Sequence, residues 1–496
     1  MKKITIITTV FAMVLSGKII AQDFRSVEKK VDSLLEAGIL PSMAIGILKE
    51  GEVIYEKAFG YADVENKRMS TTRTPYQLAS LSKPITATAI MQLHEEGSLN
   101  IDDPITKYVQ LKKVDDSYQD PTIRQVLNHT SGLGTYFDIY YADEQISYVD
   151  FETAWSQYGI QFHPPGLVCE YSNLGYGLLD FIITKVTGMP FASYLRTDIF
   201  DPLGMGDALL VERSDDKALA KKYGVGLKVL PEVWNNTAGA GNIAAGVQDI
   251  MQFASLHLQE RSTGSIGDTN ISAMQTYREP NALFHYYQDT YYGLGWYVMA
   301  DDQGQKVVWH EGGMMGASTM LKFYPKEQIA IVLLTNTYHP AVCRGLTDEL
   351  TRIMMPGYEP TPINEVADYS PIASDSTIIG DWSGIMHIAD EQRAISLQIA
   401  EDGVDIRYLD DQFRSFLTDY QPLPYHVRML FGAINQGYFI GTGIGDLPAK
   451  DSRENPHLLS LKLYKEENTL KGTIISMAAA EREYYARPYY IQLTKE

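Results

Sequence analysis

Two blocks of strand-type sequence, held apart by a long helical tract, constrain this chain more tightly than any other feature. The first is Ser42-Met43-Ala44-Ile45-Gly46-Ile47-Leu48, the turn Lys49-Glu50-Gly51-Glu52, and Val53-Ile54-Tyr55-Glu56-Lys57-Ala58-Phe59-Gly60, which read together as a hairpin. The second holds runs at 292–298, 307–310, 318–324 and 329–336 at meander spacing, followed by a helix over 342–354. A helix over 24–40, with apolar spacing at Val27, Val31, Leu34 and Leu35, precedes the hairpin. Between the blocks, residues 99–210 carry helix and loop signals. These are a capped short helix at 122–129, a helix at 174–186 stopped by Gly188-Met189-Pro190, and another over 191–200. The expected fold is α/β (α+β): a mostly antiparallel sheet flanked by helices, with a helical domain inserted.

Beyond this unit the composition changes. Residues 356–371 are rich in proline with Glu, Asp and Ser, and read as a linker. Short runs such as Ile395-Ser396-Leu397-Gln398-Ile399 and Lys471-Gly472-Thr473-Ile474-Ile475 follow, separated by Gly, Asp and Asn turns. They predict an all-β barrel or sandwich of roughly a hundred residues. At the other end, Lys2-Lys3, an apolar run over 4–15 and small residues up to Ala21-Gln22 read as a secretory leader. The run is too short to span a bilayer, and an uncleaved anchor is the alternative. The expected division is a signal peptide at 1–22, the α/β domain at 23–356, a linker at 357–375 and the β domain at 376–496. The chain is thus expected in the periplasm or outside the cell, with no stable membrane span after cleavage.

Charge and cysteine content narrow the partners. The net charge of −20 argues against nucleic acid. Two cysteines, Cys169 and Cys343, cannot form a disulfide framework; two buried thiols is the main reading, a single bridge the other. The ten histidines are scattered, so no metal site or cofactor is expected. A small-molecule or peptide substrate remains.

The chemistry concentrates at Gln77-Leu78-Ala79-Ser80-Leu81-Ser82-Lys83. The spacing puts Ser80 and Lys83 one turn apart on one helical face, at a helix start rich in free N–H groups. A hydroxyl needs a neighbour to take its proton, and a desolvated lysine holds its own loosely. Ser80 is therefore a candidate nucleophile and Lys83 its proton partner. The pattern alone is more often an N-cap serine and a solvated lysine. His129 reads as a structural histidine in a loop, and the small-residue stretch 239–246 as a close-packed loop. No Gly-x-Ser-x-Gly elbow occurs, and Met314 stands where a zincin motif on His310-Glu311 needs its second histidine.

Two further fragments complete a constellation: Tyr171-Ser172-Asn173, between Pro165-Gly166 and Leu174-Gly175-Tyr176-Gly177, and His310-Glu311-Gly312-Gly313. With Gly60-Tyr61-Ala62-Asp63, residues 127–133, Pro202-Leu203-Gly204-Met205 and Leu333-Leu334-Thr335-Asn336, they resemble the serine β-lactamase-like superfamily. That superfamily comprises class C β-lactamases, D-Ala-D-Ala carboxypeptidases, D-aminopeptidases and related esterases. The match covers most of residues 40–340, and the β domain resembles a lipocalin-like module. The resemblance implies a β-lactamase/transpeptidase-like fold and a roster of roles. Ser80, Lys83 and Tyr171 would be catalytic, Tyr171 as the base: a phenol (pKa ~10) lowered by Lys83, so that its phenolate takes the proton of Ser80. Ser80 and Gly313 N–H groups would form the oxyanion hole, and Asn173, His310 and Gly312 would bind substrate. Read alone, Tyr171 is one of 33 tyrosines.

The third motif departs from the Lys-Thr-Gly common among β-lactamases. His310 lacks the permanent charge of a lysine, and Glu311 adds a negative one where a substrate carboxylate would lie. The expected activity is a serine hydrolase working through an acyl-enzyme on esters or amides, D-amino-acid peptides included. The alternatives are a β-lactamase or D-Ala-D-Ala carboxypeptidase and, from another class, an inactive penicillin- or peptidoglycan-binding module.

Overall fold

The computed structural model describes residues 22–143, 147–211, 218–258, 266–276 and 290–363, then 370–371, 377–388, 391–401, 403–408, 426–429, 431–435, 438–445, 457–480 and 483–496. The leader read over 1–22 lies almost wholly outside them.

The chain opens with α1 (Arg25–Glu36) and the hairpin β1 (Ser42–Lys49) and β2 (Glu52–Asp63), with β3 (Arg68–Met69) on its outer edge. The distant block supplies β5 (Thr290–Tyr292), β6 (Tyr297–Ala300), β7 (Lys306–Met314), β8 (Ala317–Tyr324) and β9 (Ile329–Thr335); β4 (Phe137–Tyr141) lies between. One eight-stranded sheet results, in the order β5-β6-β7-β8-β9-β1-β2-β3. The two blocks meet where β1 pairs antiparallel with β9, from Met43↔Thr335 to Lys49↔Ile329.

Both faces of this sheet are covered, so β1 reads as a continuous apolar run rather than an alternation. Its pleat still divides it. Met43, Ile45 and Ile47 pack with Val27 and Val31 of α1 and with Leu346 and Leu350 of α5 (Pro340–Met354). Ala44 and Leu48 face the opposite core, which contains α2 (Ser82–Glu95), α3 (Asn173–Thr187) and α4 (Val247–His257). Gly46 is the close point: a Cβ there would stand 2.7 Å from Met251 Sδ and 2.8 Å from Val247, both on α4.

The helix signals in the intervening tract correspond to real helices. Thr122 caps Ile123–Leu127 in a reciprocal box with Gln125, and Gly188, at φ 70°, ends α3. The tract also contains β4, which pairs with Val233–Asn235 and with the C-terminal domain.

That domain is a curled antiparallel sheet of β10 (Gly380–Ile388), β11 (Glu391–Ala400), β12 (Gly403–Tyr408), β13 (His426–Met429), β14 (Phe431–Asn435), β15 (Tyr438–Gly445), β16 (His457–Glu466), β17 (Thr469–Ala480) and β18 (Glu483–Lys495). It runs β14-β15-β16-β17-β18-β10-β11-β12-β13 around a core including Trp382, Leu397, Leu461 and Ile491. Among the described residues no strand pairing joins β13 to β14 to close a barrel.

Candidate active site

Ser80 sits in a single 3₁₀ turn, Ala79–Leu81, that runs directly into α2. Ala79 enters that turn at φ 49°, a left-handed conformation that costs a residue with a Cβ about 1–3 kcal/mol. The turn is held from behind, where Leu78 O accepts from Thr319 Oγ1 of β8 at 2.8 Å. Gly312 of β7 lies against the same carbonyl, where a Cβ would fall 2.0 Å from Leu78 O. Strained turn, tether and glycine together set the nucleophile against the edge of β7.

Lys83, one turn on, is completely buried. Its Nζ lies 3.1 Å from Ser80 Oγ, 2.7 Å from Asn173 Oδ1 and 3.0 Å from Ala240 O. Burial drives its pKa well below the ordinary lysine value. Asn173 Oδ1 and the carbonyl of Ala240 can only accept, so they take the two protons of a neutral amine. The remaining lone pair then faces Ser80, the one partner of the three that carries a proton to give.

Tyr171 and Asn173 arrive from the turn that starts α3. Ser172 caps the helix: its Oγ accepts from Gly175 N at 3.1 Å and donates to Gly134 O at 2.8 Å. The Ser172 N–H donates to His129 Nδ1 at 3.1 Å, so the proton of that ring is on Nε2. His129 packs at a tilt against Tyr171 with ring centroids 4.4 Å apart, and Thr135 Oγ1 donates to the Tyr171 carbonyl. Lys83 Nζ lies 4.6 Å from the centre of the Tyr171 ring.

Ser80, Tyr171, Asn173 and Gly313 all line one cavity of about 360 Å³, with Lys83 immediately beneath it. His310 and Gly312 are not among its lining residues, whereas Glu311, Gly313 and Met314 are. His310 is buried beside its cross-strand partner Leu321, on the face of β7 that packs toward α2. There its Nδ1–H donates to Glu311 O at 2.7 Å, and its Nε2 accepts from the Tyr292 hydroxyl at 2.9 Å. Burial holds its pKa well below the usual histidine value. The ring therefore braces the aromatic layer behind Tyr171, 6.5 Å away between centroids.

A model of the beta-lactamase family matches residues 27–353, most of the chain. The chain belongs to that family. Among its relatives, penicillin-binding protein 4* of Bacillus subtilis is 31% identical over 308 residues, covering 58% of this chain and 66% of the relative. Protein flp of Staphylococcus aureus strain N315 is 27% identical over 344 residues, covering 66% of each. The chain thus spans about two thirds of the length of either relative. Of solved structures, SurE with D-Leu superimposes at a TM-score of 0.65 and 19% identity, covering 93% of this chain and 99% of that one. The octameric penicillin-binding protein homologue of Pyrococcus abyssi gives 0.59 at 22%, covering 94% and 100%. EstCE1, a hydrolase with promiscuous acyltransferase activity, gives 0.54 at 21%, covering 63% and 93%. The first two extend over the C-terminal sheet, so the likeness in fold takes in both parts of this beta-lactamase family chain.

Sequence reasoning missed three parts of the site. One is Ala240 O, a backbone acceptor in the stretch taken for an ordinary loop; its small residues permit that close approach. Another is Arg344 on α5, whose Nε and Nη2 clamp Glu311 at 2.8 and 2.7 Å. The charge expected to stand open on β7 is therefore paired. The third is Phe137 and Ile139 of β4, which line the cavity together with Met477 of β17.

Proposed function

We propose that this chain is a serine hydrolase that forms an acyl-enzyme on esters and amides lacking a free carboxylate beside the scissile bond. The observation that carries the reading is the hydrogen-bond set of Lys83, a fully buried amine held against Ser80 Oγ, Asn173 Oδ1 and Ala240 O with burial pushing its pKa down. In the first half-reaction Ser80 Oγ bonds to the carbonyl carbon as Lys83 takes its proton. The resulting oxyanion is held by the N–H groups of Ser80 and Gly313. The proton passes, with Tyr171 as the phenol at the cavity wall, to the alcohol or amine as its bond to carbon breaks. In the second, water adds to the ester carbonyl and gives a proton to the same base, and Ser80 leaves with one.

The substrate class rests on charge. Among the described residues no lysine, arginine or histidine lines the cavity, and its single carboxylate, Glu311, is ion-paired to Arg344. A substrate carboxylate would meet Glu311 and no lining cation. SurE in complex with D-Leu and EstCE1, a hydrolase with promiscuous acyltransferase activity, share the fold and fit this reading of D-peptides and esters as substrates. Turnover of p-nitrophenyl butyrate and nitrocefin by wild type and Ser80→Ala tests it. The ester is expected to give at least a hundredfold higher kcat/KM, lost in Ser80→Ala along with fluorophosphonate labelling. Comparable efficiency on nitrocefin overturns the substrate class. Absence of both labelling and turnover moves the chain to the penicillin-binding alternative.

A further inference from the structure

The cavity is built by both domains, and the division of labour inside it is sharp. Tyr171 packs with the cluster under α1 and α5. Ala79, next to the nucleophile, and Met314, next to Gly313, pack in a different cluster. That second cluster includes Phe137 and Ile139 of β4, and Ile475, Met477 and Ala486 from the C-terminal sheet. Of these last three, Met477 reaches the cavity wall.

We propose that Met477, with Phe137, Ile139 and Met314, forms the acyl-side subsite, so that the C-terminal domain sets which acyl groups the enzyme accepts. This rests on the acyl-enzyme reading above. A leaving group must lie beside the residues that return its proton, Tyr171 and Lys83. The acyl group stays bonded to Ser80 and points away from them, between Ala79 and Met314, into the apolar side. The lining there is aliphatic, thioether and aromatic, so the class of acyl group it takes is an unbranched aliphatic or aryl chain. Methionine suits a wall that meets chains of different length, because its unbranched thioether adapts its rotamer.

The wall is also a fixed one. Strand β4 alternates: Phe137, Ile139 and Tyr141 pack in the shared cluster, while Asp138 turns to the other side. There Asp138 Oδ2 accepts from Arg487 Nη2 of β18 at 2.8 Å, and Arg487 Nη1 donates to Phe137 O at 3.1 Å. The register pairs Tyr485 with Asp138 and Ala486 with Phe137. The C-terminal sheet thus reaches the cavity wall through main-chain pairing as well as through a side chain.

The test uses the full chain and p-nitrophenyl esters from acetate to octanoate, with wild type, Met477→Ala and Met477→Trp. In Met477→Trp the octanoate-to-acetate ratio of kcat/KM is expected to fall at least tenfold. In Met477→Ala the preferred chain is expected to lengthen by two or more carbons, each methylene in an apolar pocket being worth roughly 10–200-fold in kcat/KM. Ratios within twofold of wild type in both variants overturn the proposal, as does a change confined to a series of acetate esters with longer alcohols. Should Met477→Trp fail to fold, Met477→Ala carries the decision alone. A wild type that neither labels at Ser80 nor turns over any ester refutes the hydrolase reading instead, which keeps the two failures distinct.

Discussion

Lys83 concentrates the tension in this site. A fully buried amine that stayed charged would need a carboxylate, and its three hydrogen-bond partners are a hydroxyl, an amide oxygen and a carbonyl. Releasing the proton is the cheaper state, and it is the state the chemistry requires. His129 and His310, both depressed well below 6.5 by burial, stay neutral through the same range. The acid limb of kcat/KM is assigned to Lys83: activity is expected to rise with pH through an apparent pKa below the lysine value of 10.5. Lys83→Arg, which cannot accept a proton, is expected to lose roughly 10²–10⁴-fold in kcat. Stability follows with a definite sign. An unfolded lysine binds its proton below about 10.4, and the folded one only at lower pH. Between the two the unfolded state holds more protons, so stability falls as pH falls, by up to about 1.4 kcal/mol per pH unit. Thermal melts of wild type and Lys83→Met between pH 10 and 7 check this. The Tm difference is expected to shift in favour of the variant as pH drops; a constant difference contradicts it.

Strand β7 brings Glu311, Gly313 and Met314 to the cavity, while His310 is buried beside Leu321. Gly312 fills the gap between β7 and the nucleophile's turn. Gly312→Ala would set a Cβ 2.0 Å from Leu78 O and 2.4 Å from Thr319 Oγ1, and the first of these is backbone that cannot swing aside. About 1–3 kcal/mol of stability is expected to go, by urea titration, together with most of kcat as Ser80 moves. Gly345→Ala on α5, where a Cβ meets nothing within 4 Å, is the matched control; it is expected to hold or gain about 0.5–1 kcal/mol at full activity. The same strands show what a sequence discloses. Runs such as β1 and β9 are buried on both faces and leave nearly unbroken apolar text, so the sheet and its two-block origin were legible. Three motifs likewise identified Ser80, Lys83, Tyr171, Asn173 and Gly313, which the fold gathers. The burial of His310 was not legible, because it depends on Tyr292, which arrives on a different strand. Nor was β4: five residues of strand inside a helical tract, whose partner in β18 lies about 350 positions later. Arg344 was hidden for a related reason, its carboxylate lying on a different element.

The two domains meet at contacts that bear on the catalytic residues from opposite sides. Lys462 Nζ of β16 donates to Cys169 O at 3.2 Å, two residues before Tyr171, and Thr473 of β17 reaches Glu170 at 3.5 Å. On the other side the Asp138–Arg487 pair, 3% and 4% exposed, holds β4. Its guanidinium lies 5.0 Å from the centre of the Tyr136 ring and 4.8 Å from that of Tyr485. A charge so enclosed contributes little net stability when paired, yet removing its partner strands the other. Arg487→Met is expected to cost about 3–5 kcal/mol and to raise KM as β4 loosens, whereas adding Asp138→Asn to it recovers most of the stability. If the double variant is no more stable than Arg487→Met, the pair is not the clamp. If it recovers stability while KM for long acyl esters stays high, the ion pair is fixing the position of β4 in addition to supporting the fold. That outcome is the expected one, because Phe137 and Ile139 hang from the same strand that Arg487 anchors.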